Sequence, residues 1–430
     1  MRLLIDGALV LTFDPAAGDF PGGRVGIEGQ RVAFVLPAGA PLPAGWVPER
    51  TLDGQGQILM PGLVNGHTHV PMTLLRGFAD DLPLHEWLFE HIMPAEDKLT
   101  GEDVYWGALL GMAEMLRAGI TAFADMYYFE ADIARAAVES GIRAALGRGL
   151  VEGGAPANLA DVRELTRDWQ GAGDGRITNM VAPHSVYTCS PSFLRRTVEL
   201  AAELDLPIHI HLSETTREVE EAQAAHGKTP VAIAAEAGVF TRHTLVAHAV
   251  DLREGDFDIL AGMRGAVVHN PQSNQKLASG FAPVARLLER GVTVGMGTDG
   301  ASSANTYDLF EATRWAGYAQ KARQKDPSYL SARKMMEMAV CGGAAALGIA
   351  AEVGRVAPGY QADLILIDLE RPHLIPSYDP YSTLAYTVRA DDVETVLVAG
   401  RPVMEKKALL TVDEERVLAE ARTRISKFRS

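Results

Sequence analysis

The chain has 430 residues, 47% of them hydrophobic and 22% charged, so it can bury a sizeable core and suits one large domain plus a smaller one. Its formal net charge of -15 offers no electrostatic footprint for nucleic acid or for an anionic membrane surface. Two lone cysteines, Cys189 and Cys341, form neither a disulfide framework nor a CxxC pair, and no uncharged apolar run reaches the roughly 18–20 residues of a membrane helix. The opening MRLLIDGALVLTF is interrupted by Asp6 and Gly7, unlike a secretory leader, and the cytoplasm is the expected location.

The first stretch alternates like β-structure: LLIDGALVLTF, then RVGIEGQRVAFV, then RTLDGQGQI, with turn signals at Asp6-Gly7, Pro21-Gly22-Gly23 and Asp53-Gly54. From residue 58 the rhythm changes. Eight short apolar runs follow, QILMPGLVNGHTH, ITAFADM, RAALGRGLV, ITNMVAPHS, LPIHIHLSE, TLVAHAV, AVVHNPQ and VTVGMGTDG. Most are followed by helical spacing, as in Asp103–Ala118, Ala131–Ser140, Ser192–Glu203 and Ala282–Arg290. Strands alternating with helices imply parallel βα units. Eight of them fit a closed (β/α)8 barrel, and an open doubly wound sheet is the alternative. The tail returns to strand-like GYQADLILIDL and VETVLVAGRPVM before a polar helix. The division expected is a small β-sandwich-like domain from 1–57 and 356–412, a closing helix over 413–430, and a barrel over 58–355.

A barrel carries its active site at the C-terminal strand ends. Seven of the 12 histidines fall there: His67 and His69, His184, His209 and His211, His248 and His269. Glu214 lies at the end of the fifth run and Asp299 near the end of the eighth. The H-x-H spacing puts His67 and His69 on one face of a strand, so both imidazoles can reach one ion. A hairpin at Asn65-Gly66 would need a partner strand directly afterwards, and VPMTLLRGFADD does not alternate like one. His211 offers a third nitrogen and Asp299 an oxygen. His209 shares that face but lies deeper, as a core residue, and His269 reads as supporting or structural. Three histidines and an aspartate suit zinc, with iron also fitting.

Such a site needs a base and an acid. Asp299, beside metal and water, can take the water's proton. Glu214, three residues past His211, can give a proton to the substrate, and His248 can polarise the water or stabilise developing charge. A carboxylate at a helix N-terminus in SETTREVEEA, with Ser213 or Thr215 as the cap, is the competing use of Glu214. Strand four ends VAPHSVYTCS without a lysine, so no second ion has a bridging ligand there. GMGTDG imitates a dinucleotide fingerprint but lacks a helix opening on its glycines, and the H-x-E…P-C-x-x-C deaminase signature is absent.

PGLVNGHTHVPMTLLRG, HIHLSETTREV, VVHNPQSN, GMGTDGASS and GRVAPGYQADLILID together resemble the amidohydrolase superfamily, and within it the 5-methylthioadenosine/S-adenosylhomocysteine deaminase branch with its chlorohydrolase-like neighbours. The resemblance covers nearly the whole chain. It implies a barrel with a small β-sandwich-like domain, one zinc or iron ion on His67, His69, His211 and Asp299, and hydrolytic deamination of an adenosine-type nucleoside. Glu214 would protonate the ring nitrogen and His248 would assist at the water. The segment FADDLPLHEWLFEHIMPAE matches one in which Trp87 lines the pocket and Glu96 binds the ribose hydroxyls. His184 matches a substrate contact, and Arg148 a position that can meet an anionic ligand end. GRGLVEGG is not the usual wording around Arg148, and SNQKLASG places Gln275 where a leucine is commoner. Another N-heterocycle, such as guanine, cytosine or a chloro- or aminotriazine, is the alternative substrate. The implied partner is a small nucleoside, with no nucleic acid and no membrane, and assembly as a homo-oligomer stays open.

Overall fold

A computed structural model describes residues 1–428, apart from the side chains at 154–157. Five strands open the chain: β1 (Arg2–Val10), β2 (Phe20–Glu28), β3 (Arg31–Leu36), β4 (Arg50–Asp53) and β5 (Gln57–Pro61). The next eight are β6 (Leu63–Thr68), β7 (Ile120–Tyr127), β8 (Arg143–Leu150), β9 (Ile177–Pro183), β10 (Ile208–Leu212), β11 (Thr244–His248), β12 (Gly265–His269) and β13 (Val294–Met296). Each falls inside one of the eight apolar runs to within a residue. They pair in parallel in strict chain order, which excludes the open doubly wound alternative. The ends β6 and β13 meet through side chains and one backbone bond. Asn65 donates to the Thr298 hydroxyl at 2.7 Å and accepts from its amide at 3.0 Å, and the Asp299 amide donates to the His67 carbonyl at 3.0 Å.

Four more strands, β14 (Leu364–Asp368), β15 (Val393–Val398), β16 (Arg401–Glu405) and β17 (Ala408–Leu409), return to the first five and make a nine-stranded mixed sheet. The two ends of the chain join at β5, which runs parallel to β1 and antiparallel to β14. Its apolar filling includes Leu3, Ile5, Val25, Leu59, Leu364 and Leu397, all essentially inaccessible.

Two readings of the sequence change here. QILMPGLVNGHTH is not one strand. Its first half is β5 of the small sheet, its second half is β6 of the barrel, and the chain passes between sheets at Gly62. A Cβ there would lie 2.1 Å from the Thr121 hydroxyl, so the crossing requires glycine. Asp6-Gly7 is not a turn but a bulge within β1: Gly7 has φ +88° and the pairing with β2 shifts after Asp6. Pro21-Gly22-Gly23 likewise lies inside β2.

The barrel interior is filled by small and branched residues, among them Val64, Ala122, Ala145, Leu245 and Val268. Helices surround it; that over Gly101–Arg117 is capped by Thr100, whose hydroxyl accepts from the Asp103 amide. No helix among the described residues is long and apolar enough to cross a membrane.

The sheet and the barrel are bolted together by Arg143 on β8. Its guanidinium donates to both oxygens of Asp363 at 2.7 and 3.1 Å, and Asp363 also accepts from the Ala399 amide at 2.7 Å. Both side chains are nearly sealed, at 10% and 1% exposure. Arg143→Ala therefore strands a buried carboxylate, and denaturant unfolding should show a loss of about 3–5 kcal/mol; replacing both partners with apolar residues should cost less.

Candidate metal centre and active site

The strand ends deliver their side chains to one point. The rings of His67 and His69 are 4.8 Å apart, those of His67 and His211 4.8 Å, and those of His211 and His248 5.4 Å. Ligand atoms of His67, His69 and His211 lie within 4.8 Å of one another, and so do those of His67, His248 and Asp299.

Three of these rings are oriented by a bond at Nδ1. His69 donates to the Met126 carbonyl at 2.6 Å, and His211 to the His184 carbonyl at 2.8 Å. His67 shares a 2.8 Å bond with Nε2 of His209. His209 thus backs His67, a contact that spacing alone does not reveal. Each Nε2 is left facing inward, the arrangement metal-binding histidines use. His67 Nε2 is buried with no hydrogen-bond partner. Asp299, in a left-handed backbone conformation with φ +66°, is held by the Ser273 hydroxyl at 2.6 Å, the Ser303 hydroxyl at 3.1 Å and the Gly300 amide at 2.8 Å. Its Oδ1 stands 3.4 Å from His67 Nε2 and 3.2 Å from His69 Nε2.

The electrostatics describe a place for a cation. Burial lowers His67 to about 3, although Asp299 opposes this. Burial also depresses His211 well below the usual imidazole value, assisted by the neighbouring histidines. His69 goes the other way. Burial pulls it down, but the carboxylate of Asp299 outweighs that and raises it to about 9. Asp299 itself is held well below the ordinary carboxylate range: burial opposes its charge, and the neighbouring imidazoles of His67 and His69 overcome it. The raised imidazole of His69 and the depressed carboxyl of Asp299 mark a place where positive charge is favoured, as a divalent ion would supply. The donor set of three imidazoles and a carboxylate fits zinc.

Glu214 and His248 face this centre, with His248 Nδ1 3.8 Å from Glu214 Oε1. The same nitrogen donates to Asn274 Oδ1 at 2.8 Å, which fixes the ring. Burial raises the Glu214 carboxyl, partly countered by His248. Of the two expected caps, Thr215 takes the role, its hydroxyl accepting from the Glu218 amide at 3.1 Å, and Glu214 lies before the helix facing the cavity. Glu218 was not singled out from the sequence, yet its carboxylate accepts from the amides of Ser213 at 3.1 Å and Glu214 at 2.7 Å. Glutamate three residues beyond a threonine cap is the signal that could have found it.

The cavity over the centre is tight, about 80 Å³, and Trp87, Glu96, Tyr128, His184, Tyr187 and Glu214 are on its wall. Trp87 and Glu96 come from a broken helical segment, Leu84–Glu96, whose middle turn over Trp87–Ile92 is widened to a π-turn. Burial pushes the Glu96 carboxyl up to about 7, with the Tyr127 hydroxyl acting against it. His184 Nδ1 is held by the hydroxyls of Ser185 and Thr188, each at 3.1 Å. Arg148 is not on this wall. It borders an adjacent cavity, and its donors go to the Gly149 carbonyl at 2.7 Å, Asn158 at 3.0 Å and Asp161 at 3.4 Å. His269 is buried beside the site with neither ring nitrogen bonded.

Residues 58–403 match the model of the amidohydrolase family. The chain belongs to the amidohydrolase family. Over 425 residues, 98% of each chain, this amidohydrolase is 47% identical to a 5-methylthioadenosine/S-adenosylhomocysteine deaminase of Pelotomaculum thermopropionicum. It is 47% identical over 423 residues, 98% of this chain and 97% of the relative, to the protein of the same name in Desulforudis audaxviator. Among solved structures, a zinc-bound adenosine deaminase from Xanthomonas campestris superposes with a TM-score of 0.94 at 35% identity, covering 99% of this chain and 98% of that one.

Glu218 gives two measurable consequences. Its loss frees the turn that aims Glu214, so Glu218→Gln should lower kcat by about 10- to 100-fold with little change in KM. Burial raises Glu218 to about 8. The folded chain therefore holds a proton that the unfolded chain releases between about pH 4.5 and 8, and this contribution to stability is lost as pH rises through that window. Glu218→Gln should flatten the pH dependence of unfolding there.

Proposed function

We propose that this amidohydrolase is a metal-dependent hydrolytic deaminase of adenosine-type nucleosides: S-adenosylhomocysteine, 5-methylthioadenosine or adenosine, converted to the inosine analogue and ammonia. The observation that carries the reading is the convergence of His67, His69, His211 and Asp299 opposite Glu214 and His248, with Glu96 farther along the same cavity. The relatives of the same length that bear a deaminase name support it. Zinc is the proposed ion, one per chain, and iron would suit the same donors.

His67, His69, His211 and Asp299 would hold the ion. When bound, it acidifies a coordinated water towards a pKa of about 7 and orients it. Asp299 accepts the proton that the attacking water gives up. Glu214, whose carboxyl burial pushes up, donates to the ring nitrogen next to the amino-bearing carbon, so the ring takes up the electron pair as the carbon–oxygen bond forms. His248, fixed by Asn274, stabilises the oxygen as charge develops on it. The proton taken by Asp299 then passes to the amino group, the carbon–nitrogen bond breaks, and ammonia leaves; the hydroxyl on the attacked carbon gives up its proton as the carbonyl forms, which restores Glu214 to its acid form.

Glu96 is proposed to accept the two ribose hydroxyls, with Trp87 and His184 lining the path of the substrate. A free base has no diol to offer, which favours a nucleoside over guanine, cytosine or a triazine. Arg148 stays a proposed determinant of the ligand's far end rather than a contact to the base.

An ammonia-release screen over adenosine, 5-methylthioadenosine, S-adenosylhomocysteine, guanine and cytosine should show turnover of the nucleosides and background rates for the bases. Glu96→Gln should cut kcat/KM for the nucleosides by about 10- to 1000-fold, because one hydroxyl keeps an acceptor and the other loses its charged partner. Full nucleoside turnover by that variant would remove the ribose assignment.

A further inference from the structure

The segment that carries Trp87 and Glu96 leaves the barrel after the helical turn over Val70–Leu75 and returns at the helix over Gly101–Arg117. Its placement over the catalytic centre depends on what holds its two feet. At the back foot, the Leu99 amide donates to the Glu96 carbonyl at 2.9 Å, and Thr100 caps the helix that follows. Asp103 completes that cap. Its Oδ2 accepts from the Thr100 amide at 2.9 Å and from the Thr100 hydroxyl at 2.6 Å. The Asp103 side chain is 4% exposed, so its charge calls for a cation.

The cations come from the C-terminal segment. The helix over Glu414–Arg424 lies along the helix over Gly101–Arg117, fastened at its start by two bonds from Arg117 to Glu414. At its end, Arg424 Nε stands 3.5 Å from Asp103 Oδ1, and the Lys427 ammonium donates to Asp103 Oδ2. One residue further, the Phe428 ring meets Phe78 edge-on with centroids 6.0 Å apart. Phe78 belongs to the front foot, where Lys276 also holds the nearby Asp80 from the barrel side. The turn Ile425–Phe428 therefore touches both feet of one segment.

None of the residues in this turn is buried. The helix before it is seated by Val417 and Ala421, which are. Burial of apolar surface therefore explains the helix and leaves the turn's contacts unexplained. Those contacts fall on the cap directly behind Glu96 and on the loop ahead of Trp87.

We propose that Lys427 and Phe428 are positioning residues for nucleoside binding: their turn is a strap across both feet of the Trp87–Glu96 segment, and it sets where the Glu96 carboxylate meets the vicinal hydroxyls of the substrate. Lys427 carries the larger share, because the front foot keeps Lys276 when Phe428 is lost. The proposal rests on the reading of Glu96 as the diol acceptor.

The test uses the full-length holoenzyme with adenosine and 2′,3′-dideoxyadenosine, which lacks the diol; the latter is read as a substrate or, where it is not turned over, as a competitive inhibitor. The double variant Lys427→Met with Phe428→Ala should raise KM for adenosine about tenfold with kcat within about twofold, and should leave the affinity for dideoxyadenosine where it was. Lys427→Met alone should give most of that rise, and Lys427→Arg little of it. Weakening shared equally by both compounds, or a lower melting temperature with unchanged kinetics, overturns the strap where Glu96→Gln still erases the difference between them. Should Glu96→Gln leave that difference intact, the diol assignment fails and the strap fails with it.

Discussion

Everything at the mouth of this barrel depends on a charge that the chain alone does not balance. Asp299 is buried, fixed by two hydroxyls and an amide, and faces the Nε2 atoms of His67 and His69. Three imidazoles with their Nδ1 atoms already engaged cannot turn away from it. Without an ion, His69 has to carry a proton to keep the arrangement neutral. With one, the same atoms become a ready-made coordination shell. The surrounding bonds, from Met126, His184 and His209, serve to keep that shell from relaxing, which is the preorganisation a catalytic ion needs.

The barrel makes this possible by separating jobs along each strand. The lower halves bury small apolar residues against one another and hold the geometry; the upper ends carry the polar chemistry. The small sheet contributes at a distance. The Arg143–Asp363 pair ties it to β8, and Gly62 lets the chain leave that sheet and enter the barrel directly ahead of His67.

The eight barrel strands were legible in the sequence because parallel strands buried on both faces are continuous apolar runs, and because their polar ends stand out against them. The convergence of the histidines was legible for the same reason: histidines recurring at strand ends meet once the strands close. What stayed hidden were features set by contact rather than by period. The break at Gly62 depends on Thr121, far away in sequence. The bulge at Gly7 uses the same residue types as a turn. Glu218 and Asn274 matter because they hold Glu214 and His248; the spacing of Glu218 from Thr215 marks a helix start but not the site, and Asn274 carries no such spacing. Arg148 occupied a position that suggests an anion contact, but its own neighbours, Asn158 and Asp161, decide where its charge goes.

The central claim, that one ion on this shell runs a nucleoside deamination, is tested most directly by titrating zinc into the chelator-stripped protein while measuring ammonia release from 5-methylthioadenosine. The account predicts no turnover in the stripped protein and a linear rise that saturates at one ion per chain, with the response abolished in Asp299→Ala. Turnover that persists without metal, or a rise that saturates only at two ions per chain, would contradict it.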